Sequence, residues 1–190
     1  MNNIKAALLS ILITGIFFSS LSFLFASLGI LVVQHMVLAG LSTPILSATG
    51  LAVYLFLNSR FSDNRPDRFS LSFSNLVLGI CVAMLFFGYL KWFTVITFFV
   101  LFALLLYIEY RNKLRFMYYF YRAWAAMLIP FYLVSLIVKS QQALTFNENA
   151  SLKLSLLQLP IEAYSCFMGM LLMTVYLFEL FRHKMTRTNG

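Results

Sequence analysis

The chain has 190 residues, 62% of them hydrophobic and 11% charged, with a mean hydropathy of +0.88. A soluble domain carries about a quarter of its residues as charges, and a chain this apolar would expose one continuous hydrophobic patch to water, so the composition describes an integral membrane protein. The net charge of +8 does not imply nucleic acid as a partner, because the basic residues cap apolar runs and form no dense stripe.

Six apolar segments follow in chain order. The first is expected over about 6–33 and the second over about 36–57, followed by the polar stretch NSRFSDNRPDRFS. The third covers about 73–90, and Lys91 with Trp92 marks a very short turn into the fourth, about 93–110. After RNKLR comes the fifth, about 116–138, and the loop KSQQALTFNENASLK leads to the sixth, about 154–181. Each is near the length of about 20 residues that a helix needs to cross hydrocarbon. Lipid offers no partner to an open backbone group, so spans of this kind are helices. The fold expected is all-α: a bundle of six transmembrane helices forming one membrane domain over 1–190. The first run is longer than the apolar region of a secretion signal, and no small-residue cleavage site follows it, so it reads as a retained and tilted first helix.

Charge bias orients the bundle. One side carries Lys5, Arg60, Arg65, Arg68, Arg111, Lys113, Arg115, Arg182, Lys184 and Arg187; the other carries only Lys91, Lys139 and Lys153. Ten against three predicts six spans with both termini cytoplasmic in the cell membrane, an inner membrane in a bacterium. A five-helix count would put the C-terminal basic cluster on the wrong side.

Ionisable groups at membrane depth cost roughly 2.5 kcal/mol or more, so each is a functional candidate. Glu162 is the deepest, expected about two turns into the sixth helix beneath Pro160, which loosens the helix and frees carbonyls. In hydrocarbon its carboxyl favours the neutral, proton-carrying form. Two readings of it stand level: an acid that gives its proton to a hydrocarbon double bond, or polar glue bonded to a neighbouring helix. Glu179 and Arg122 are expected to form a structural ion pair between the sixth and fifth helices. Glu109 is expected to reach the head groups, and the FMYYFY cluster before Arg122 reads as an interfacial aromatic belt. His35 and His183 read as solvated, and Cys81 and Cys166 as small buried hydrophobes with no metal-ligand spacing. The sequon at Asn149 and the twofold VYLF (53–56 and 175–178) carry little weight.

The stretch FNENASLKLSLLQLPIEAYSCFMGMLLMTVYLFEL resembles the integral-membrane lycopene cyclase domain family, whose half-domains carry an asparagine loop, a helix opening on a PIED- or PLEE-type motif, and a terminal glutamate. Asn147 falls on the loop asparagine, Pro160, Ile161 and Glu162 on the motif, and Glu179 on the terminal glutamate. The likeness covers about 73–184, which would be a four-helix half-domain behind two N-terminal helices in 1–72. The acid that the family sets after its motif glutamate is Ala163 here, the proline after its loop asparagine is Glu148, an asparagine of its final helix is Thr174, and its terminal tyrosine is Phe178.

The resemblance implies cyclisation of the linear ends of lycopene or a related carotenoid, without net redox change and without a cofactor or metal. It carries catalytic roles to Glu162, Asn147 and Glu179, with Tyr164, Tyr132 and Pro160 lining the substrate site and the two tyrosine rings steadying a carbocation. The partners implied are the bilayer, a hydrophobic isoprenoid, and a second half-domain or second copy. The other reading is a non-catalytic membrane protein: a carotenoid or lipid binder, or a helical subunit of a membrane complex. A transporter is the weakest option, because one deep carboxylate makes a poor ion path.

Overall fold

The computed structural model describes residues 2–33, 36–60, 67–111, 116–140, 144–147 and 150–188. His35, Arg65, Lys113, Arg115, Glu148 and Asn149 lie outside them. Within the described residues the order is α1 (Asn2–Ser27), β1 (Leu31–Val33), α2 (Met36–Arg60), α3 (Asp67–Phe87), α4 (Trp92–Arg111), α5 (Met117–Ser140), β2 (Leu144–Phe146), β3 (Ser155–Leu156), β4 (Leu159–Pro160) and α6 (Ile161–Thr188). Five helices are long and apolar enough to cross a membrane; α2 is also 25 residues long but is interrupted by Ser42, Thr43, Ser47, Thr49 and Asn58. Large side chains such as Leu8, Leu12, Ile16, Phe23, Phe86 and Ile129 point outward. That is the surface of a protein whose solvent is lipid.

Several boundaries depart from the hydropathy reading: α3 begins at Asp67 inside the stretch read as polar, α6 runs on to Thr188, and two apolar runs leave the helix. The first apolar run leaves the helix at Ser27, because Gly29 takes φ +66°. The Ile30 amide then bonds the Phe25 carbonyl at 3.0 Å and the Gly29 amide the Ala26 carbonyl at 3.1 Å. These are the two closing bonds of a Schellman cap, with Ile30 packed in one cluster with Phe25 as that motif favours. The seven positions before Ile161, LSLLQLP, are not helical either. Ser155 pairs with Pro160 and Leu156 with Leu159, joined by Leu157 and Gln158 at φ 51° and 65°. Two positive φ values in succession define the tight turn that suits a twisted hairpin. The sixth helix therefore starts at Ile161, not near residue 154. Pro160 stands before it and breaks nothing, and the prolines inside helices are Pro44 and Pro130.

Within the bundle α6 is the central member. In its most apolar window 61% of residues are buried, against 22% for α1, α3 and α5. It packs on α1, α2, α4 and α5. Its Leu171, Leu172 and Val175 share one core with Leu51 and Tyr54 of α2, Phe98 and Leu105 of α4, and Phe120 and Met127 of α5. At one end of the bundle β1 pairs antiparallel with β2, Leu31 opposite Phe146. This ties the α1–α2 connection to the α5–α6 connection, and β3–β4 lies at the same end, leading into α6. We call this the ribbon end.

The turn from α3 to α4 is tight. A Cβ on Gly88 would stand 2.8 Å from the Met84 carbonyl oxygen and 2.7 Å from Thr94 Cγ2. Gly88→Ala is expected to push the first turn of α4 outward and cost about 1–3 kcal/mol, as overpacking does. It would register as a lower Tm in detergent. Gly79→Ala, inside α3 and in open space, is the control that does not lower Tm, since alanine favours a helix interior over glycine.

Candidate functional site

The ribbon end is organised around Glu162, the second residue of α6, whose side chain is 0% exposed. Its Oε1 accepts two hydrogen bonds, from Thr94 Oγ1 at 2.7 Å and from the Leu152 amide at 2.9 Å. Its Oε2 is buried and has no hydrogen-bond partner among the described residues. Thr94 is the third residue of α4, so the carboxyl joins the first turns of two helices. Helix N-termini present unpaired amides and positive partial charge. That lets the group be buried with no ion pair among the described residues.

A strap of backbone crosses above it. Asn147 continues the β1–β2 ladder, its amide bonding the Ile30 carbonyl at 2.9 Å, and its side-chain Nδ2 donates to the Gly29 carbonyl at 3.1 Å. The Ala150 amide bonds the Asn147 carbonyl at 3.0 Å, and the Ala150 carbonyl accepts from the Phe93 amide at 3.2 Å. Two residues on, Leu152 reaches Glu162. Asn147 thus fastens the strap to the capped end of α1, while Glu162 and Phe93 fasten it to α6 and α4.

Beside this clasp lies a cavity of about 180 Å³ between α1, α2, α5 and α6. Phe18 and Phe25 wall it from α1, Ser42 and Thr43 from α2, Phe131 from α5, and Ala163, Cys166 and Phe167 from α6, with Phe93 and Leu159 at the clasp side. Phe131 and Phe167 stack at 4.3 Å and 10°. The lining passes Glu162 by, and it takes Leu159 where Pro160 was expected, Phe131 where Tyr132 was, and Ala163 where Tyr164 was. Tyr164 instead donates to the Leu156 carbonyl at 3.1 Å and sets its ring edge against Phe131. One step along a helix turns a side chain by about 100°, enough to move it off the wall.

Glu179 belongs to another site. Seventeen positions along α6 at 1.5 Å each separate it from Glu162 by about 25 Å. Its ion pair is with Arg182 at 2.8 Å, on the next turn of the same helix, and its Oε1 accepts from Tyr54 Oη of α2 at 2.7 Å. Arg122, named from the sequence as its partner, donates to the Leu57 carbonyl at 3.3 Å and lies 5.8 Å from the Tyr118 ring centroid. Glu109 is half-buried and turned inward, accepting from Ser74 at 3.2 Å, with Ser74 also 2.7 Å from Tyr121 Oη. Among the described residues no cluster of His, Cys, Asp and Glu forms a metal site. Thr94, Ser74 and Tyr54 escaped the sequence reading. The signal for Thr94 was a pair of threonines, 94 and 97, three apart in the otherwise apolar run FTVITFF.

Tyr54 is 1% exposed and its phenol is a short bond to a carboxylate. Tyr54→Phe is expected to destabilise the bundle by about 1.5–3 kcal/mol, the range for a lost hydrogen bond to a charged group. Thermal unfolding in detergent measures it, and a Tm equal to that of the wild type would contradict the assignment.

No curated protein and no solved structure gives a significant match to the chain. A family model does. Residues 90–181, from the turn before α4 to the later turns of α6, match the family described as Lycopene cyclase. The clasp at Thr94 and Glu162, the strap at Asn147 and the far carboxylate Glu179 all lie on that lycopene-cyclase segment.

Proposed function

We propose that this protein is a carotenoid cyclase of the lycopene cyclase type, spanning the cell membrane six times with both termini cytoplasmic and the ribbon end outside. The observation that carries the proposal is the pairing of a fully buried carboxyl, with no cation partner among the described residues, at the first turn of the motif helix with an apolar cavity beside it. The cavity volume is on the scale of the ~150 Å³ spaces that take up benzene. That suits one end of a long isoprenoid, the part that becomes a six-membered ring, while the rest of the chain stays in lipid. The family match over 90–181 supports the substrate class.

In this reading Glu162 is the acid. Its O–H proton forms a C–H bond with the π electrons of the terminal double bond, and the O–H electron pair stays on the carboxylate. The cation left on the chain is attacked by the π pair of an internal double bond, which closes the ring through a new C–C bond. Loss of a proton from the neighbouring carbon to a base restores a double bond. Atoms and electrons balance as an isomerisation. The stacked pair Phe131 and Phe167 puts aromatic surface on the wall beside the cation, with Tyr164 against Phe131. For the proton to reach the substrate, the end group must meet Glu162 at the Phe93–Leu159 edge of the cavity.

One observation favours a second reading, a carotenoid or isoprenoid binder without catalysis. The position that faces the cavity is Ala163, where the resembling family carries its second acid. A second half-domain or second copy would supply the missing group if the chain works in an assembly.

Expression in a host that accumulates lycopene separates these readings. The cyclase reading expects ring-bearing carotenoid with the wild type and a loss of at least about 100-fold with Glu162→Gln, the lower range for removing a general acid. Unchanged lycopene with a correctly inserted wild type would defeat it. Lycopene that copurifies with the protein unaltered is the result the binder reading expects.

A further inference from the structure

We infer that Thr94 is a positioning residue for Glu162: together with the Leu152 amide it pins Oε1, so that Oε2 is the oxygen left to carry and transfer the proton. The inference rests on the reading of Glu162 as the acid and adds a residue to it.

A free carboxyl has two equivalent oxygens that exchange by rotation about one bond. Here the equivalence is broken. Oε1 holds an O–H donor at 2.7 Å and an N–H donor at 2.9 Å, and Oε2 has no partner among the described residues. Swapping the oxygens would break both bonds at once in a site with no exposure to water. Buried hydrogen bonds are costly to leave unmade, at about 1–3 kcal/mol for each orphaned group.

The way Thr94 uses its single proton supports the assignment. Hydroxyls on the helices of this chain mostly bond back to their own backbone: Ser22 to Phe18, Ser47 to Thr43, Ser165 to Ile161, Thr174 to Met170. That is the usual behaviour of serine and threonine in membrane helices. Thr94 donates across to α6 instead. Its backbone neighbour Phe93 is tied to the strap through the Ala150 carbonyl at 3.2 Å, so the α4 turn and the strap are held in one register.

The test needs a readout that does not depend on turnover, and the Leu152 amide provides one. Hydrogen exchange at Leu152 in the full-length protein in detergent is compared for wild type, T94V, T94S, E162Q and E162A, alongside cyclisation in the lycopene host. Glutamine keeps an Oε1 acceptor, so E162Q should retain Leu152 protection while losing activity. T94S should retain both. T94V should speed Leu152 exchange and lower cyclisation, each by about tenfold, the size of one net hydrogen bond, with lycopene retention by the protein unchanged. E162A should lose protection and activity together. T97V removes a buried hydroxyl that has no partner among the described residues; it is the packing control and should change neither readout. Leu152 exchange unaffected by T94V, or affected equally by T97V, overturns the inference alone. Full cyclisation by E162Q, or none by the wild type, overturns the acid reading and Thr94's role in it.

Discussion

The ribbon end of this molecule depends on one constraint: a carboxyl buried in a membrane protein must be given donors. Glu162 receives two, one from a helix and one from a loop. Meeting that requirement brings the first turn of α4, the first turn of α6 and the strap at 147–152 to a single point. The strap in turn holds the capped end of α1 through Asn147. Remove the carboxyl and three elements lose their common partner. In lipid unmade bonds have no solvent to fall back on, and the clasp holds the first turns of α4 and α6 together.

The same logic recurs at the far end with a different solution. Glu179 is satisfied by a cation and a phenol, Arg182 and Tyr54, and the Arg182 guanidinium also lies 5.7 Å from the Phe178 ring centroid. One carboxyl has an ion pair and the other has only neutral donors. An ion-paired acid has its charge compensated where it stands, whereas Glu162 keeps an oxygen free of partners among the described residues. That difference in surroundings sets Glu179 apart from Glu162, the residue that the cyclase reading takes as its acid.

Hydropathy made most of the bundle legible. α2, α4 and α5 begin and end within a few residues of the expected limits because each is bounded by charge or a short polar turn. The failures occur where an apolar run changes conformation without changing composition. Residues 28–33 and 154–160 are as apolar as the helices beside them, yet the first is turned by Gly29 and the second by Leu157 and Gln158 at positive φ. The glycine was a readable signal; two non-glycine residues in that conformation were not. Partner choice was hidden for another reason. Arg122 and Arg182 are both placed by the sequence near the level of Glu179, and only side-chain geometry shows Glu179 paired one turn along its own helix. Among the described residues the two short strand pairs were unpredicted, being built from two or three residues each.

That shift of the α6 start from about residue 154 to Ile161 bears directly on the chemistry. A carboxyl two turns inside a helix would have been fixed by neighbouring helices alone, with Pro160 as a break above it. At the second position of the helix it is instead within reach of a loop amide, and the face it presents is set by where the hairpin lets the helix begin. The register delivered turns Glu162 toward α4 and Ala163 toward the cavity. A residue added between Gln158 and Glu162 would turn the face by about 100° and move the carboxyl to the position Ala163 holds on the cavity wall, at the expense of the clasp. The hairpin is therefore the element that assigns Glu162 to holding the strap, and it keeps the acid at the edge of the cavity, next to Phe93 and Leu159. In the cyclase reading a substrate end would meet Glu162 there, past the Phe93 and Leu159 side chains that line that edge of the cavity.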